Sequence, residues 1–279
     1  MAGVDEPECA LPLDSRDVRC CCLLRSFSHF IVKNPTMNCS VQTPQIVGKD
    51  AKQHTLSPTC TGASVLGIKF SDGVIIAADM LVSYGSLARY LDVERISMVN
   101  DNTVMACSGD IADYQLLKRR VEEQTHTDSL LSDGFTLSPR ALHSWITRVL
   151  YNRRSRMNPL WNTYIVGGLE SDGKPFLGYC DLLGVSFSDD CLATGFGMYL
   201  ALPLLRQRLE DQAGGDPRKL SKENAVQAIT DGMRQLYYRD CRAFKTYQMA
   251  VVTSSGVEVR SPLQLETNWE IADYVAGYE

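Results

Sequence analysis

The chain has 279 residues, 44% of them hydrophobic, which suits one large domain with a long extension or two small domains, with a full buried core. Its 33 acidic and 28 basic residues give a net charge of −5, which argues against a general nucleic-acid or anionic-membrane binder. No apolar stretch approaches a transmembrane length, and the early acids Asp5 and Glu6, with a longest leading apolar run of only 20–24, argue against a secretory or organelle leader.

In chain order, residues 20–32 are apolar enough to pack on something, whereas 33–62 are polar and irregular, with Pro35, Pro44 and Pro58. Residues 1–62 therefore read as an extension or pro-segment rather than a domain. Residues 61–80 read as two strands. Val65, Gly67 and Lys69 alternate with Ser64, Leu66 and Ile68, a period of two. Ser71-Asp72-Gly73 is the turn, with Gly73 free to take positive φ. Val74 to Ala78 is a continuous apolar run, as in a strand buried on both faces, and Asp79 stands at its end. Tyr84-Gly85-Ser86 reads as a loop. A second hairpin pairs 95–99 with 103–107 through Asn100-Asp101-Asn102.

A helix begins near 108–110, with Ile111, Tyr114, Leu117 and Val121 at helical spacing. The next has Ser138 as N-cap and Pro139 as its first residue. Its stripe is Leu142, Trp145, Ile146, Val149 and Leu150, and Asn158-Pro159 stops it. Strands return at 163–169 and 176–181 around Ser171-Asp172-Gly173, followed by a shorter pair at 184–187 and 191–194. A helix spans about 197–211. Gly214-Gly215-Asp216-Pro217 leads to another, capped by Ser221, with Val226, Ile229, Met233 and Leu236 on one face. A last hairpin joins 248–253 to 257–260. The tail, 262–279, has no strong pattern. Strands, two helices, strands, two helices, strands is the order of an α+β domain.

Ten cysteines occur, at 9, 20, 21, 22, 39, 60, 107, 180, 191 and 241, with no C-x-x-C spacing and no Cys/His ligand grouping. Half of Cys107, Cys180, Cys191 and Cys241 fall in apolar strand patterns, where a free thiol is a small hydrophobe. Reduced thiols are expected, and no metal or cofactor. The basic run Arg153-Arg154 with Arg156 reads as a local solvated face or a subunit contact.

The stretch TGASVLGIKFSDGVIIAADM resembles the hairpin, ending in Ala-Ala-Asp, that opens the mature beta subunits of the proteasome core particle, which are N-terminal-nucleophile (Ntn) hydrolases. YGSLAR (84–89), MNPLWN (157–162), LGYCDLLGV (177–185), YYRD (237–240) and ETNW (266–269) carry the resemblance over roughly 55–279, and they resemble a non-catalytic member. The resemblance implies a four-layer α/β/β/α Ntn sandwich with a long N-terminal pro-segment.

In active members a Gly–Thr bond before the first strand is cleaved, and the freed threonine supplies nucleophile and base. Here Gly62 precedes Ala63, which has no hydroxyl. The resemblance matches Asp79 to the strand-end aspartate and Asp240 to the aspartate before the last strand. Arg95 stands where active members have lysine. It keeps the charge, stays protonated and cannot shuttle a proton. Gly109 matches the oxyanion donor, Phe196 replaces a serine beside the nucleophile, and Ala243 replaces another serine. Phe244 and Lys245 replace glycines. Asp79 and Arg95 then read as a structural ion pair. Neither neighbouring hydroxyl substitutes for the lost one. Ser64 points to the opposite face, and Thr61 lies about 7 Å away along an extended chain.

The resemblance thus implies a structural subunit of a particle that degrades proteins. Its partners would be other alpha and beta subunits in stacked seven-membered rings, in cytoplasm and nucleus. The alternative is an active threonine endopeptidase. Trimming is expected at His54-Thr55, by a neighbouring subunit. Trp269, Ile271, Tyr274 and Tyr278 put more aromatic and apolar area in the tail than a solvated terminus carries. The resemblance implies that this tail reaches the opposite beta ring.

Overall fold

The computed structural model describes residues 57–131, 134 and 136–270. The first half comprises β1 (Cys60–Gly62), β2 (Val65–Phe70), β3 (Gly73–Asp79), β4 (Val82–Tyr84), β5 (Leu87–Tyr90), β6 (Ile96–Asn100), β7 (Thr103–Asp110), α1 (Ile111–Leu131) and α2 (Pro139–Ser155). The second comprises β8 (Asn162–Leu169), β9 (Pro175–Cys180), β10 (Ser186–Ser188), β11 (Cys191–Ala193), α3 (Gly197–Leu200), α4 (Leu202–Ala213), a 3-10 turn (Pro217–Lys219), α5 (Lys222–Arg239), β12 (Thr246–Thr253) and β13 (Gly256–Gln264). They form two antiparallel sheets. One has eight strands in the order β10-β9-β8-β7-β1-β4-β5, with β6 also on β7. The other has five, β11-β2-β3-β12-β13.

Side-chain alternation divides each strand between two seams. In β3, Val74, Ile76 and Ala78 enter the core between the sheets, while Ile75 and Ala77 enter the core under the helices. In β7, Val104 and Ala106 face the other sheet, and Met105 and Cys107 face α1 and α2. Three seams result, and they define four layers. The first holds Leu205, Leu209, Ile229 and Met233 of α4 and α5 on the five-stranded sheet. The second lies between the sheets. The third holds Tyr114, Leu117, Leu142 and Ile146 of α1 and α2 on the eight-stranded sheet. The α/β/β/α sandwich expected from the resemblance is the fold.

Close sheet packing depends on missing side chains. A Cβ at Gly167 would lie 2.7 Å from Ile76 Cδ1, and one at Gly73 would lie 1.8 Å from the Val252 carbonyl oxygen. Helix starts follow the sequence. Ser138 accepts from Ala141 N at 3.2 Å and Ser221 from Asn224 N at 3.3 Å.

Several expectations are corrected. The segments at 184–187 and 191–194 do not pair with each other. β10 pairs with β9 and β11 with β2, so they belong to different sheets. The helix expected over 197–211 is two helices, α3 and α4, broken at Ala201 just before Pro203, which has no N–H to continue the first ladder. The first helix starts later than 108, because β7 runs on to Asp110. The stretch read as a loop at 84–86 is the turn of the β4–β5 hairpin. β13 extends to Gln264, and Leu265 is buried among α5 residues, so the tail begins after the core rather than at 262. Cys107, Cys180 and Cys191 all lie in buried strands, one more than the pattern suggested, and Cys241 is exposed.

Candidate functional site

The site forms where the chain changes sheets. β1 sits between β7 and β4 in the eight-stranded sheet, with Gly62 opposite both Gly109 and Val82, and Thr61 opposite Asp110 and Ser83. The chain then crosses through Ala63 and Ser64 into β2 of the other sheet. Ala63 is therefore an internal residue of a continuous, hydrogen-bonded backbone. Upstream, the Asp110 carboxylate accepts from Thr59 N at 3.2 Å and from Asp113 N at 3.1 Å. This tethers the entering segment to the start of α1.

Arg95 fastens the crossing. Its side chain is fully buried. Nη1 donates to the Ala63 carbonyl at 2.7 Å and the Cys107 carbonyl at 3.0 Å. Nη2 donates to the Ser64 carbonyl at 3.1 Å and to Asp79 Oδ1, and Nε donates to the Asp79 carbonyl at 2.9 Å. A guanidinium has five N–H groups, and these five bonds use the full set. The arginine also fills the space beside the crossing, since a Cβ at Gly62 would lie 2.5 Å from its Cδ. Its own backbone N–H donates to Gln248 Oε1 at 3.0 Å.

Asp79 ends β3. Its other oxygen accepts from Phe244 N at 3.1 Å. Burial pushes the carboxyl up to about 6, against the opposing pull of Arg95 and the Phe244 N–H. The same burial drives the Cys107 thiol well above its ordinary range, so it is an inert apolar side chain. Asp240 caps the C-terminal end of α5 and accepts from Arg242 N at 2.9 Å, and Ala243 N donates to its carbonyl at 3.1 Å.

The remaining expected residues divide. Gly109 takes φ 101°, and a Cβ there would lie 2.2 Å from the Trp161 carbonyl oxygen, so glycine is required. Phe196 is exposed at the start of α3. Ser64 is turned toward α3, accepting from Gly197 N at 2.9 Å, which matches its expected placement away from the site. Ala63, Asp79, Arg95 and Gly109 are brought together, with Phe244 from the loop after Asp240. Phe196 lies at the rim.

Sequence reading missed the pairing of β1 and the role of Gln248. The signal for Gln248 was present: it is a polar residue inside an apolar strand pattern, and it is buried here. His54, Thr55, Ile271, Tyr274 and Tyr278 lie outside the described residues, as does the 54/55 boundary. Trp269 is described. It packs edge-on against Tyr237 and Tyr238 of α5, with centroids at 5.9 and 5.0 Å, while half its surface stays exposed. Tyr238 Oη accepts from Asn268 N at 2.7 Å. The first part of the tail thus lies on its own domain.

Among the described residues no group of three or more His, Cys, Asp or Glu side chains is placed to hold a metal ion. The constellation can fix a backbone and balance a buried charge. It presents no nucleophilic oxygen at position 63.

The model of the family described as proteasome subunit matches residues 59–252. The chain is 53% identical over 232 residues to proteasome subunit beta type-4 of Xenopus laevis, covering 83% of this chain and 93% of that protein. It is 42% identical to the protein of the same name in Drosophila melanogaster, over 83% of this chain and 85% of that one. It is also 42% identical to the one in Arabidopsis thaliana, over 82% and 89%. With a family match across the sandwich and relatives of this likeness along most of its length, the chain belongs to the proteasome subunit family.

Proposed function

We propose that this chain is a structural, non-hydrolytic beta subunit of the proteasome core particle. The observation that carries the reading is the crossing at position 63. The residue there is an alanine inside an unbroken strand connection, and its carbonyl is held by Arg95. An Ntn mechanism needs a free terminal amine and a side-chain oxygen at that one residue. Ala63 supplies neither. The upstream strand adds a second obstacle, because β1 occupies the slot between β7 and β4, with Gly62 opposite Gly109. The backbone position expected to stabilise an oxyanion therefore faces the chain's own strand.

The test is treatment of purified core particles with a threonine-directed epoxyketone, followed by intact mass of this chain. No adduct is expected on the wild type. None is expected on Ala63→Thr either, because Arg95, Phe196 and Ala243 are unchanged. An adduct on the wild-type chain overturns the reading in favour of an active threonine endopeptidase.

Maturation follows from the same geometry. Because Ala63 cannot cleave its own upstream bond, trimming falls to another subunit, at His54-Thr55. A cut there leaves β1 in its sheet. N-terminal sequencing should return Thr55, and a start at Ala63 would contradict the proposal. The subunit takes its place in a seven-membered beta ring in cytoplasm and nucleus. Its last residues, rich in Ile271, Tyr274 and Tyr278, reach the opposite beta ring.

A further inference from the structure

The seam under α1 and α2 holds a polar cluster whose side chains the crossing at position 63 does not use. Cys107 of β7 lies directly opposite Tyr164 of β8. Asn162, two residues before Tyr164, points to the same face of the sheet, and its Nδ2 donates to Cys107 Sγ at 3.1 Å. Tyr114 descends from the first turn of α1 into the same buried group of side chains. Exposure is 2% for Tyr114, 1% for Asn162 and 0% for Tyr164 and Cys107, so none of the four reaches solvent. The backbone of Cys107 meets the crossing, because its carbonyl accepts from Arg95 Nη1 at 3.0 Å.

Three atoms of this cluster have no partner within hydrogen-bond reach among the described residues. They are Tyr114 Oη, Tyr164 Oη and Asn162 Oδ1. The atoms around them are committed. Asn162 Nδ2 also donates to the Asp110 carbonyl at 2.7 Å, which assigns the amide edge and leaves Oδ1 as the free acceptor. The Cys107 thiol donates to the Ser108 carbonyl at 3.3 Å, which leaves lone pairs on its sulfur. Burial raises both phenols and the thiol well above their ordinary ranges, so all three keep their protons. The Cys107 thiol acts on each phenol, which gathers both hydroxyls around the one sulfur. Buried polar groups are nearly always partnered, because an orphan has given up water and gained nothing for it.

The chemistry of these atoms selects the ligand. A cation finds no ionised oxygen or sulfur here, because the phenols and the thiol are protonated. An anion finds no free positive charge, because the N–H groups of Arg95 are all in use. A neutral molecule with two donors and two acceptors fits. Two phenol O–H groups stand ready to donate, and Asn162 Oδ1 and Cys107 Sγ stand ready to accept. Water matches that set, and buried waters commonly make three such bonds, within a range of about two to four.

We propose that this cluster is a binding site for one ordered water, which accepts from Tyr114 Oη and Tyr164 Oη and donates to Asn162 Oδ1 and Cys107 Sγ. The water joins α1 to β7 and β8 at the point where Cys107 receives Arg95. It gives a helix layer that otherwise rests on apolar contact a directional attachment to the strand end behind position 63.

The experiment has two readouts. Core particles containing the full chain are imaged at a resolution where other buried waters are visible. A density peak is expected about 2.5–3.0 Å from both phenol oxygens. No peak there, or two phenols bonded directly to each other, overturns the proposal. The second readout is denaturant unfolding of the full chain carrying Tyr114→Phe, Tyr164→Phe or both. Phenylalanine keeps the ring and removes only the hydroxyl. At a hydrated site each single variant unfolds at lower denaturant than the wild type. The double variant loses less than the two singles added together, because one water serves both hydroxyls. At a dry site the same substitution removes an orphan hydroxyl, so the midpoint stays or rises. An unchanged or higher midpoint in the single variants overturns the proposal, and so do additive losses. The wild-type density decides the matter even if the double variant folds poorly.

Discussion

Arg95 is the residue on which the crossing between sheets depends. It is a buried cation with one carboxylate partner, Asp79, and four carbonyl acceptors spread over three segments. Removing one member of a buried pair leaves the other charge uncompensated, which costs about 3–5 kcal/mol. Arg95→Ala should destabilise the chain by that amount in denaturant unfolding. Arg95→Lys should recover only part, because an ammonium has three donors and no planar fork. Asp79 makes a separate, pH-dependent prediction. Its folded carboxyl holds its proton up to about 6, against an ordinary 3.8. The native state then binds a proton that the unfolded chain has released. This contribution is fully present below about 3.8 and is lost as pH rises through about 6. Arg95 and Asp240 are the charges that act on it. The unfolding free energy of Asp79→Asn should lack that fall between pH 4 and 6. An unchanged slope in the Asn variant would assign the titration elsewhere.

At the scale of elements, the short strand β1 has consequences beyond its three residues. It lies between two partners in the middle of a sheet, where a residue without an N–H is not tolerated. Thr61→Pro should release β1, and limited proteolysis between 57 and 63 should accelerate several-fold while the sandwich stays folded. The contact between sheets is equally specific. Gly167 lies across from Ile76 with no room for a side chain. Gly167→Val should cost about 1–3 kcal/mol through overpacking, read as a lower unfolding midpoint. Capping is a smaller effect. Loss of the Ser138 hydroxyl at the start of α2 is worth about 1 kcal/mol.

At the scale of the whole molecule, the described C-terminal residues lie on the helix layer of the five-stranded sheet, where Trp269 packs on α5. Because Leu265 and Trp269 anchor the chain before residue 271, deleting 271–279 should leave the isolated chain folded, read as a cooperative unfolding transition. The same deletion should leave half-particles that fail to pair, seen by native electrophoresis. Full particles in normal yield would exclude a role for the tail in joining the rings.

The sequence by itself determined the helix caps at Ser138 and Ser221 and the two-sided burial of β3. These are properties of residue type and local period, so they need no knowledge of distant neighbours. The Asp79–Arg95 pair was legible only through family resemblance, because sixteen positions of chain separate the two. Tertiary structure alone decided that residues 60–62 form a central strand, since three residues carry no period and their partners lie at 82–84 and 109–110. It also assigned β10 and β11 to different sheets, because strand pairing is set by long-range packing rather than by proximity in the chain.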